Sequence, residues 1–311
     1  MDETDARLTA ALARDGRASF RDLAEAAGVS PTAARARVAR LLGDGTVRVV
    51  AKAHPAALGQ PVVYLVTLRS RTGEFPPVDE VAELDGSAWI ARVTTAPELV
   101  FQMAVPSLDD LYAHLRALEA LPWAETAHST LYLRLHAGTG PGGAAHTDPG
   151  PWRVASTRPL DAADRALVGL LRADGRAAYT ALASAVGLSV AATRQRVLRL
   201  LETGAIRLTT LVGRADGTGE QAIVTLRADG HRRRGVIEAL TALPGVDYIG
   251  ETTGPHDLHC SLVAPTLPAL AALTATATSL PGVLAHTVEP IRVLRHRLAW
   301  TTHPVEEDLA P

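Results

Sequence analysis

Two short segments carry arginines at a spacing that suits the recognition of nucleic acid. These residues are Arg35, Arg37, Arg40, Arg194, Arg196 and Arg199. In the first segment Val38 and Leu41 mark the inward face of a helix, so its arginines spread over the outward arc. A guanidinium can form two parallel hydrogen bonds with a guanine edge or with a phosphate. The pattern predicts contact with double-stranded DNA. The alternative is a solvated helix face, on which Asp15 or Asp44 could pair with an arginine.

The formal net charge of −2 conceals a segregation of charge along the chain. Residues 30–52 hold five basic side chains against one acidic, and residues 189–214 again hold five against one. Residues 75–136, in contrast, hold nine carboxylates and three arginines. Two basic islands in an otherwise acidic chain favour two separate nucleic-acid contacts.

The remaining reactive side chains do not form a catalytic or metal-binding motif. Lys52 is the only lysine and does not belong to a Gly-x-x-x-x-Gly-Lys-Ser/Thr phosphate loop. His256, His259 and Cys260 are metal-ligating types, but a spacing of three on a strand sends the two histidines to opposite faces. We therefore expect no metal, no cofactor and no enzymatic activity.

Compartment and membrane association follow from simple features of the chain. Cys260 is the only cysteine, which excludes an intrachain disulfide framework and suits a reducing compartment. The first residues are acidic and polar, unlike a secretory signal, and apolar runs are short and interrupted by Arg, Asp or Gly. These features predict a cytoplasmic protein without membrane association.

An internal repeat organises the whole chain. An offset of 159 residues aligns Leu8–Arg48 with Leu167–Arg207 without a gap, and 20 of the 41 pairs are identical. Further on, Thr94–Pro97 matches Thr252–Pro255 at an offset of 158. The Gly- and Pro-rich stretch Ala137–Pro151 between the halves predicts a linker without helix or strand. The sequence is therefore a tandem duplication.

The first part of each repeat is predicted to be three helices followed by a β-hairpin. In the first copy Gly16 is expected to end the first helix in a left-handed cap, and Gly28 to form the turn after the second. Ser30 is a favourable N-cap for the third helix, with Pro31 at its first position. The strand residues of a wing follow at Val47–Ala53, and the second copy repeats these features up to Ile206–Val212. Two helices joined by a Gly-containing turn, the second one basic, indicate a helix-turn-helix.

The second part of each repeat alternates strand and helix in the order β-α-β-β-α-β, which predicts a ferredoxin-like sandwich. One sheet face, expected to bear Val63, Phe101 and Leu133, needs a partner, and the other copy is the simplest one. The predicted elements are Val62–Leu68, Val78–Leu84, Ala88–Thr94, Leu99–Val105, Leu108–Leu121 and Thr126–Leu135, then Ala222–Leu226, Arg233–Leu243, Val246–Thr252, Asp257–Val263, Leu267–Leu280 and Ala285–Leu294.

The fold class is α+β, with two tandem units that each combine a winged helix-turn-helix with a ferredoxin-like βαββαβ sensor domain. The predicted domains are a winged helix-turn-helix at 1–54, a sensor at 60–136, a Gly/Pro-rich linker at 137–157, a second winged helix-turn-helix at 158–213, a second sensor at 219–298 and a disordered tail at 299–311.

Several motifs together resemble the Lrp/AsnC (feast/famine) family of transcriptional regulators. They are Leu160-Asp161 with Asp174-Gly175-Arg176, the Leu-Ala-x-x-x-Gly-x-Ser of Leu23–Ser30 and Leu182–Ser189, and the Arg-x-Arg-Val-x-Arg-Leu of Arg35–Leu41 and Arg194–Leu200. The resemblance implies a winged helix that binds DNA and a sensor (RAM) domain that dimerises, often within larger homo-oligomers. It also implies a small-molecule effector, typically an amino acid or a related metabolite.

The resemblance implies a ligand site at the loop between the second and third sensor strands, where the family usually has the motif Gly-x-x-Asp. The second copy fits with Gly254, His256 and Asp257, and Asp257 would face an effector's ammonium group. The first copy has Ala96-Pro97-Glu98-Leu99 instead, so we expect the ligand site in the second sensor. The alternative is that Gly254 only permits a turn that Asp257 caps. His286 and Val288 stand near positions where the family has threonines, so the effector is unusual or absent.

The two copies also predict an imperfect, asymmetric operator with half-sites about 34 Å apart. Gln195 can hydrogen-bond adenine, whereas its counterpart Ala36 cannot read a base in this way. The residues expected at DNA are Ser30, Thr32, Arg35, Arg37, Arg40, Ser189, Thr193, Arg194, Gln195, Arg196 and Arg199.

Two other functions remain open. Siroheme decarboxylases are similar to Lrp/AsnC proteins, and such an enzyme would use basic side chains such as His256, His259 and Arg292 on the tetrapyrrole's carboxylates. Against it, both recognition helices keep their arginines and turn glycines. The second is a ligand-binding interaction protein that has lost DNA binding, which requires both arginine stripes to be solvated.

Overall fold

The computed structural model describes residues 1–75, 77–82, 87–138, 152–155, 159–212 and 219–296. Each unit has three helices and a strand, followed by a sensor in the predicted order βαββαβ. The first unit contains α1 (Glu3–Arg14), α2 (Phe20–Ala27), α3 (Pro31–Gly43), β1 (Val47–Ala53), a 3-10 helix (Pro55–Leu58), β2 (Val62–Ser70), α4 (Val78–Ala82), β3 (Ser87–Val93), β4 (Glu98–Val105), α5 (Leu108–Glu119) and β5 (Ala124–Ala137). The second contains α6 (Ala162–Ala173), α7 (Tyr179–Val186), α8 (Val190–Glu202), β6 (Ile206–Val212), β7 (Glu220–Ala228), α9 (Arg233–Ala242), β8 (Val246–Thr252), β9 (Leu258–Ala264), α10 (Leu267–Thr278) and β10 (Val283–His296).

Local capping explains where the helix-turn-helix elements begin and end. Gly28 ends α2 with φ +70°, a conformation that costs glycine little, and Gly187 does the same for α7 with φ +67°. Ser30 then caps α3 by accepting a hydrogen bond from the Ala33 N–H at 3.2 Å. Ser189 caps α8 in the same way. The predicted turn glycines and N-caps are confirmed in both units.

The prediction for Gly16 is wrong, because it does not adopt a left-handed conformation. The helix α1 ends at Asp15, which is extended, and Gly16 is absent from the positive-φ glycines of the described chain. A Cβ on Gly16 would lie 2.8 Å from Cγ1 of Val49 and 3.1 Å from Cβ of Leu208. Glycine is therefore required here for close contact with β1 of its own unit and with β6 of the other unit, and not for its backbone angles.

The predicted wing hairpin within each unit is also absent from the described residues. Instead β1 and β6 pair with each other, antiparallel and in unbroken register from Val47 opposite Val212 to Ala53 opposite Ile206. The two helix-turn-helix domains thus share one two-stranded sheet. Each strand satisfies the backbone groups of the other, which joins the two units at the level of their DNA-binding domains.

The two sensor domains join into a closed eight-stranded sheet in the order β10-β3-β4-β2-β5-β8-β9-β7. Both joints between the units use the long last strand of a sensor: β5 pairs with β8, and β10 pairs with β3. Closure leaves no strand at an edge of this sheet. Each sensor is the partner of the other, as we predicted from the uncovered face of its sheet.

The hydrophobic cores lie on both sides of this closed sheet. The strands of each sensor pack their outer face against the helices of the same sensor. Their inner faces pack against each other between the two units. Val63 faces this inner core as predicted. Phe101 instead packs in the core formed with helix α5, and Leu133 is 66% exposed. Those two assignments were wrong: all eight residues of β4 are buried, so alternation does not reveal its faces, and a register shift lies between Tyr132 and Arg134 in β5.

Part of the predicted linker packs against both units. Trp152 is buried, and its backbone and indole N–H groups donate to Leu135 O and Gly204 O, both at 2.8 Å. The rest of the linker from 139 to 151, and the predicted disordered tail at 299–311, lie outside the described residues. Among the helices described, none is long and apolar enough to cross a membrane.

Candidate nucleic-acid interface and sensor loops

The outward face of each recognition helix carries side chains that are open to solvent. On α3 these are Thr32, Arg35 and Ala36, and on α8 the counterparts Arg194 and Gln195 are exposed. The N-caps of the two helices, described above, place the backbone N–H groups of their first turns at the same end as these side chains. A helix N-terminus with exposed arginines is a favourable site for a phosphate anion.

Two of the three predicted arginines in the first unit bind acidic residues of helix α1. Arg37 Nη1 lies 2.6 Å from an Asp2 oxygen and 2.9 Å from an Asp5 oxygen, and Arg40 Nη2 lies 2.7 Å from the other Asp5 oxygen. Arg40 is also 3.6 Å from Asp44, one of the two anticipated partners. The hydrogen bonds to Asp2 and Asp5 raise the pKa of Arg37. These arginines fix α3 against α1, so part of their charge is neutralised within the domain.

The second unit repeats this arrangement. Arg196 Nη1 lies 2.6 Å from Asp161 and 2.8 Å from Asp164, and Arg199 Nη2 lies 2.6 Å from Asp164. The same hydrogen bonds raise the pKa of Arg196. Sequence reasoning missed these acidic partners, although a signal existed: both copies place the two carboxylates at the same distance upstream of the arginines.

Arg35 and Arg194 differ from the other four, because neither forms an ion pair within the described residues. Arg35 lies over the ring of Phe20, with its Cζ 5.3 Å from the ring centroid, and it remains exposed. A cation stacked in this way keeps its hydrogen-bond donors available to an external acceptor. These two guanidiniums are therefore the recognition-helix cations most available to DNA.

One predicted contact residue lies in the wrong place for DNA. Thr193 is fully buried on the inner face of α8, at the position of the equally buried Ala34 in α3. Its hydroxyl has no hydrogen-bond partner in the described protein. Thr193 is therefore a core residue of the second helix-turn-helix, and it is removed from the proposed interface.

The sensor loop of the second unit holds its carboxylate in internal contacts. Gly254 has φ +93°, which supports the turn, and His256 is half-buried with its carbonyl accepting from the Thr252 hydroxyl at 3.0 Å. One oxygen of Asp257 accepts from the Ala228 N–H at 2.9 Å, and the other pairs with the Arg233 guanidinium. This geometry favours the alternative in which Asp257 organises the loop, because an effector's ammonium group would have to displace Arg233.

The first unit has a counterpart carboxylate that its sequence did not reveal. Glu98 lies opposite Arg69 in the β2–β4 register, at the place that Asp257 occupies before Leu258 in the second unit. Arg69 Nε donates to Glu98 at 2.7 Å. Both sensor loops therefore hold a carboxylate against an arginine, and the strand registers give the two loops the same length.

A chain of polar side chains crosses the core between the two sensors. The Tyr132 hydroxyl contacts Nδ1 of His259 at 2.6 Å, whereas Nε2 of His259 and both polar atoms of the buried Gln102 have no partner among the described groups. Burial lowers the pKa of His259 to about 3 and raises the pKa of Cys260 to about 12. His259 and Cys260 thus belong to the core, and no cluster of metal-ligating residues occurs in the described part of the chain.

A helix-turn-helix pair with exposed arginines on its recognition helices defines a DNA-binding transcriptional regulator, and comparison with known proteins agrees. The family model for the AsnC-type helix-turn-helix domain matches residues 1–42 and 160–201, and the model for the Lrp/AsnC ligand binding domain matches residues 221–289. The chain is 34% identical to an HTH-type transcriptional regulator of Pyrococcus abyssi (strain GE5 / Orsay), over 38% of this chain and 77% of that protein. The chain belongs to the Lrp/AsnC family of transcriptional regulators, in a tandem-duplicated form.

Two further similarities concern a regulator and a fold. HTH-type transcriptional regulator FL11 from the same Pyrococcus abyssi strain is 22% identical over 44% of this chain and 91% of its own length. The crystal structure of the siroheme decarboxylase NirDL covers 94% of this chain and 94% of its own, with a TM-score of 0.62 and 14% identity. At that identity the second similarity establishes a common fold only.

Proposed function

We propose that this regulator binds one asymmetric operator with both of its recognition helices and that a small metabolite modulates the binding. The observation that carries the proposal is that each helix keeps one exposed, unpaired arginine at the same position, Arg35 and Arg194, while the adjacent positions differ. Phosphate and base contacts from these arginines supply affinity in both half-sites. The unlike neighbours Ala36 and Gln195 supply the asymmetry.

The first experiment is a gel-shift with operators selected from randomised double-stranded DNA, across a salt series. Arg35→Ala and Arg194→Ala should each weaken binding about 5- to 100-fold and reduce the salt dependence by about one phosphate contact. Arg7→Ala is the matched control, because Arg7 is an exposed arginine of α1, outside the recognition helix, and pairs with Glu3. Unchanged affinity in both test variants would contradict the proposed interface.

Arg37, Arg40, Arg196 and Arg199 take a secondary role in this proposal. Their ion pairs orient the recognition helices, and their partly exposed guanidiniums supply general positive potential. Ser30, Ser189 and Thr32 stand at the first turns of the two helices, where they would contact phosphate or sugar. Alanine at Arg37 or Arg196 should therefore lower domain stability together with DNA affinity, unlike alanine at Arg35.

The effector is proposed to be an amino acid or a related metabolite that binds near Gly254, His256 and Asp257. The fixed turn and the half-buried His256 support this location, whereas the pairing of Asp257 with Arg233 argues for an indirect role of that carboxylate. Titration of pooled amino acids into the wild type and Asp257→Ala distinguishes a direct role of Asp257 in effector binding from an indirect one. Equal affinities would discard Asp257 as a ligand and leave it as the residue that shapes the loop.

The likeness to NirDL supports a second candidate, a siroheme decarboxylase, because the shared fold spans nearly the whole chain. The residues weighed for that chemistry are not well placed: His259 is buried against Tyr132, and Arg292 is exposed on β10. Addition of siroheme to the protein decides between the two functions. No change in the siroheme absorption spectrum would remove the enzyme, and a shifted spectrum with product formation would replace the regulator.

A third candidate is a ligand-binding interaction protein that has lost DNA binding. For that function we expect a correctly folded protein to select no specific DNA sequence, even at low salt. Assembly of the chain into a homo-oligomer stays a prediction, which the mass of the free protein in solution would test.

A further inference from the structure

Two arginines outside the recognition helices connect the two helix-turn-helix domains reciprocally. Arg17 Nη1 donates to Gly175 O at 2.7 Å, and its Nη2 donates to Ala177 O at 2.9 Å. Arg176 Nη1 donates to Gly16 O at 2.6 Å, and its Nη2 donates to Ala18 O at 3.1 Å. Each guanidinium therefore binds two backbone carbonyls of the opposite unit, a fork geometry that lysine cannot reproduce.

Aromatic rings hold these guanidiniums in place. Arg17 lies over the ring of Tyr179 at 4.4 Å, and Arg176 lies over the ring of Phe20 at 5.6 Å. Arg35, the exposed recognition-helix cation of the first unit, also lies over the ring of Phe20. Burial, reinforced by the nearby Arg17, lowers the pKa of Arg176, as expected for a cation removed from solvent. The arginine pair is thus a half-buried contact between the two units.

The backbone beneath the arginines leaves no room for other arrangements. The Gly175 N–H donates to Val49 O at 2.7 Å, and a Cβ on Gly175 would lie 2.9 Å from that oxygen. The Thr210 hydroxyl, on β6, donates to Leu12 O at the end of α1 at 2.8 Å. Together with the β1–β6 sheet, these contacts fix the position of one helix-turn-helix domain relative to the other.

We propose that Arg17 and Arg176 are positioning residues that set the distance and angle between the two recognition helices, so that the regulator accepts a single half-site spacing. Each guanidinium uses two of its donors on backbone carbonyls of the opposite unit, so we expect them to act through geometry and not through contact with DNA. The proposal rests on the proposed two-helix binding of an operator. It adds a selectivity that neither recognition helix has by itself, because each inserted base pair rotates one half-site about 34–36° around the DNA axis relative to the other.

The test on DNA compares operators in which the selected half-sites are separated by two base pairs more or fewer. The wild type should lose about tenfold or more in affinity at either altered spacing. Arg17→Lys with Arg176→Lys keeps both charges but removes the forked bonds, and this variant should bind the best operator more weakly while distinguishing the spacings less than about threefold. Arg35→Ala should weaken binding at all spacings equally. A lysine variant that keeps the wild-type spacing profile overturns the proposal.

A second measurement reads the geometry without DNA. Spin labels at Ala36→Cys and Gln195→Cys report the distance between the two recognition helices, since both sites are exposed and the native Cys260 is buried. Pulsed electron spin resonance should give one narrow distance distribution in the otherwise wild-type chain and a broader one with the two lysines. Equal widths contradict the positioning role. If the wild type selects no DNA but the widths differ, the operator proposal fails and the positioning of the two domains stands.

Discussion

The two halves of this chain keep the contacts that build their DNA-binding domains almost unchanged. Arg37 and Arg196 lie 2.6 Å from Asp2 and Asp161, and at 2.9 and 2.8 Å from the next carboxylate. Each domain also sends one arginine across to the carbonyls of the other. Duplication thus preserved the interactions that orient each recognition helix and join the two domains.

The two halves differ in one buried ion pair, in their recognition faces and in their sensor loops. Lys52 and Asp247 form a buried ion pair at 3.0 Å between β1 of the first unit and β8 of the second, and their side chains are 0% and 1% exposed. At the 159-residue offset the corresponding residues are Leu211 and Ala88, so the reciprocal pair does not exist. The recognition faces and sensor loops differ as well. Architecture was conserved between the copies, whereas recognition and the coupling of sensor to DNA-binding domain diverged.

The largest expected effect comes from breaking the one-sided ion pair. Lys52→Met should lower the free energy of unfolding by about 3–5 kcal/mol, because the buried carboxylate of Asp247 would lose the ammonium group that lies 3.0 Å from it. Denaturant unfolding measures the loss. Lys52→Met with Asp247→Asn should recover much of it, since the buried charge is removed. A single variant as stable as the wild type would show that the pair is not a structural asymmetry.

The repeated ion pairs predict matched losses in the two units. Asp5→Ala and Asp164→Ala should each cost about 2–3 kcal/mol, because each removes the acceptor of two charge-assisted hydrogen bonds at an almost fully buried carboxylate. Unfolding curves of the two variants should differ by less than about 1 kcal/mol. A clearly unequal pair of losses would contradict the view that the two domains are energetically alike.

The histidine in the core between the sensors, His259 of the second unit, has no histidine counterpart in the first sensor and predicts a pH dependence of stability. His259 stays neutral when folded because burial lowers its pKa to about 3, whereas in the unfolded chain it titrates at about 6.5. The unfolded state therefore binds more protons below pH 6.5, and stability falls as pH decreases through this range, by about 2 kcal/mol at pH 5.

The control for this pH dependence uses the residue of the other copy. His259→Val copies Val100, its counterpart by strand register, and should flatten the decrease in melting temperature between pH 7 and pH 5. About half of the decrease will remain, because burial also lowers the pKa of His54 to about 4 and His54 therefore destabilises the fold over the same pH range. If the variant and the wild type lose stability in parallel, His259 is not the titrating group.

The smallest expected effect concerns base recognition by the second recognition helix. Gln195→Ala should reduce discrimination at one base pair of one half-site by about 1 kcal/mol, the lower end for an adenine contact. Ala36→Gln should add a preference to the opposite half-site. Binding to operators with single base changes measures both, and equal effects on the two half-sites would contradict the asymmetry.

The sequence predicted the elements of each unit well because their signals are local. Ser30 caps a helix and Gly28 ends one in both the prediction and the structure, and the repeat supplied each signal twice. Contacts between the units were not readable in this way. Gly16 has the same appearance whether it serves a left-handed turn or a close contact, and only the positions of Val49 in its own unit and of Leu208 in the other unit distinguish them.

The candidate interface was predicted only in part, for a similar reason. The spacing of the arginines placed them on an outward arc, but it could not show that Asp5 and Asp164 occupy four of the six guanidiniums. Thr193 was misplaced because a threonine suits both a polar surface and a small buried position. Phe101 was assigned to the wrong face because a strand buried on both faces lacks alternation.

The most direct test of the account is selection of operator DNA by the full-length chain, followed by binding across a salt series. We predict enriched sequences with two unlike half-sites about one helical turn apart, bound with an affinity that decreases steeply with salt and depends on both Arg35 and Arg194. Enrichment of a perfect palindrome, or no enrichment at low salt by a folded protein, would contradict it.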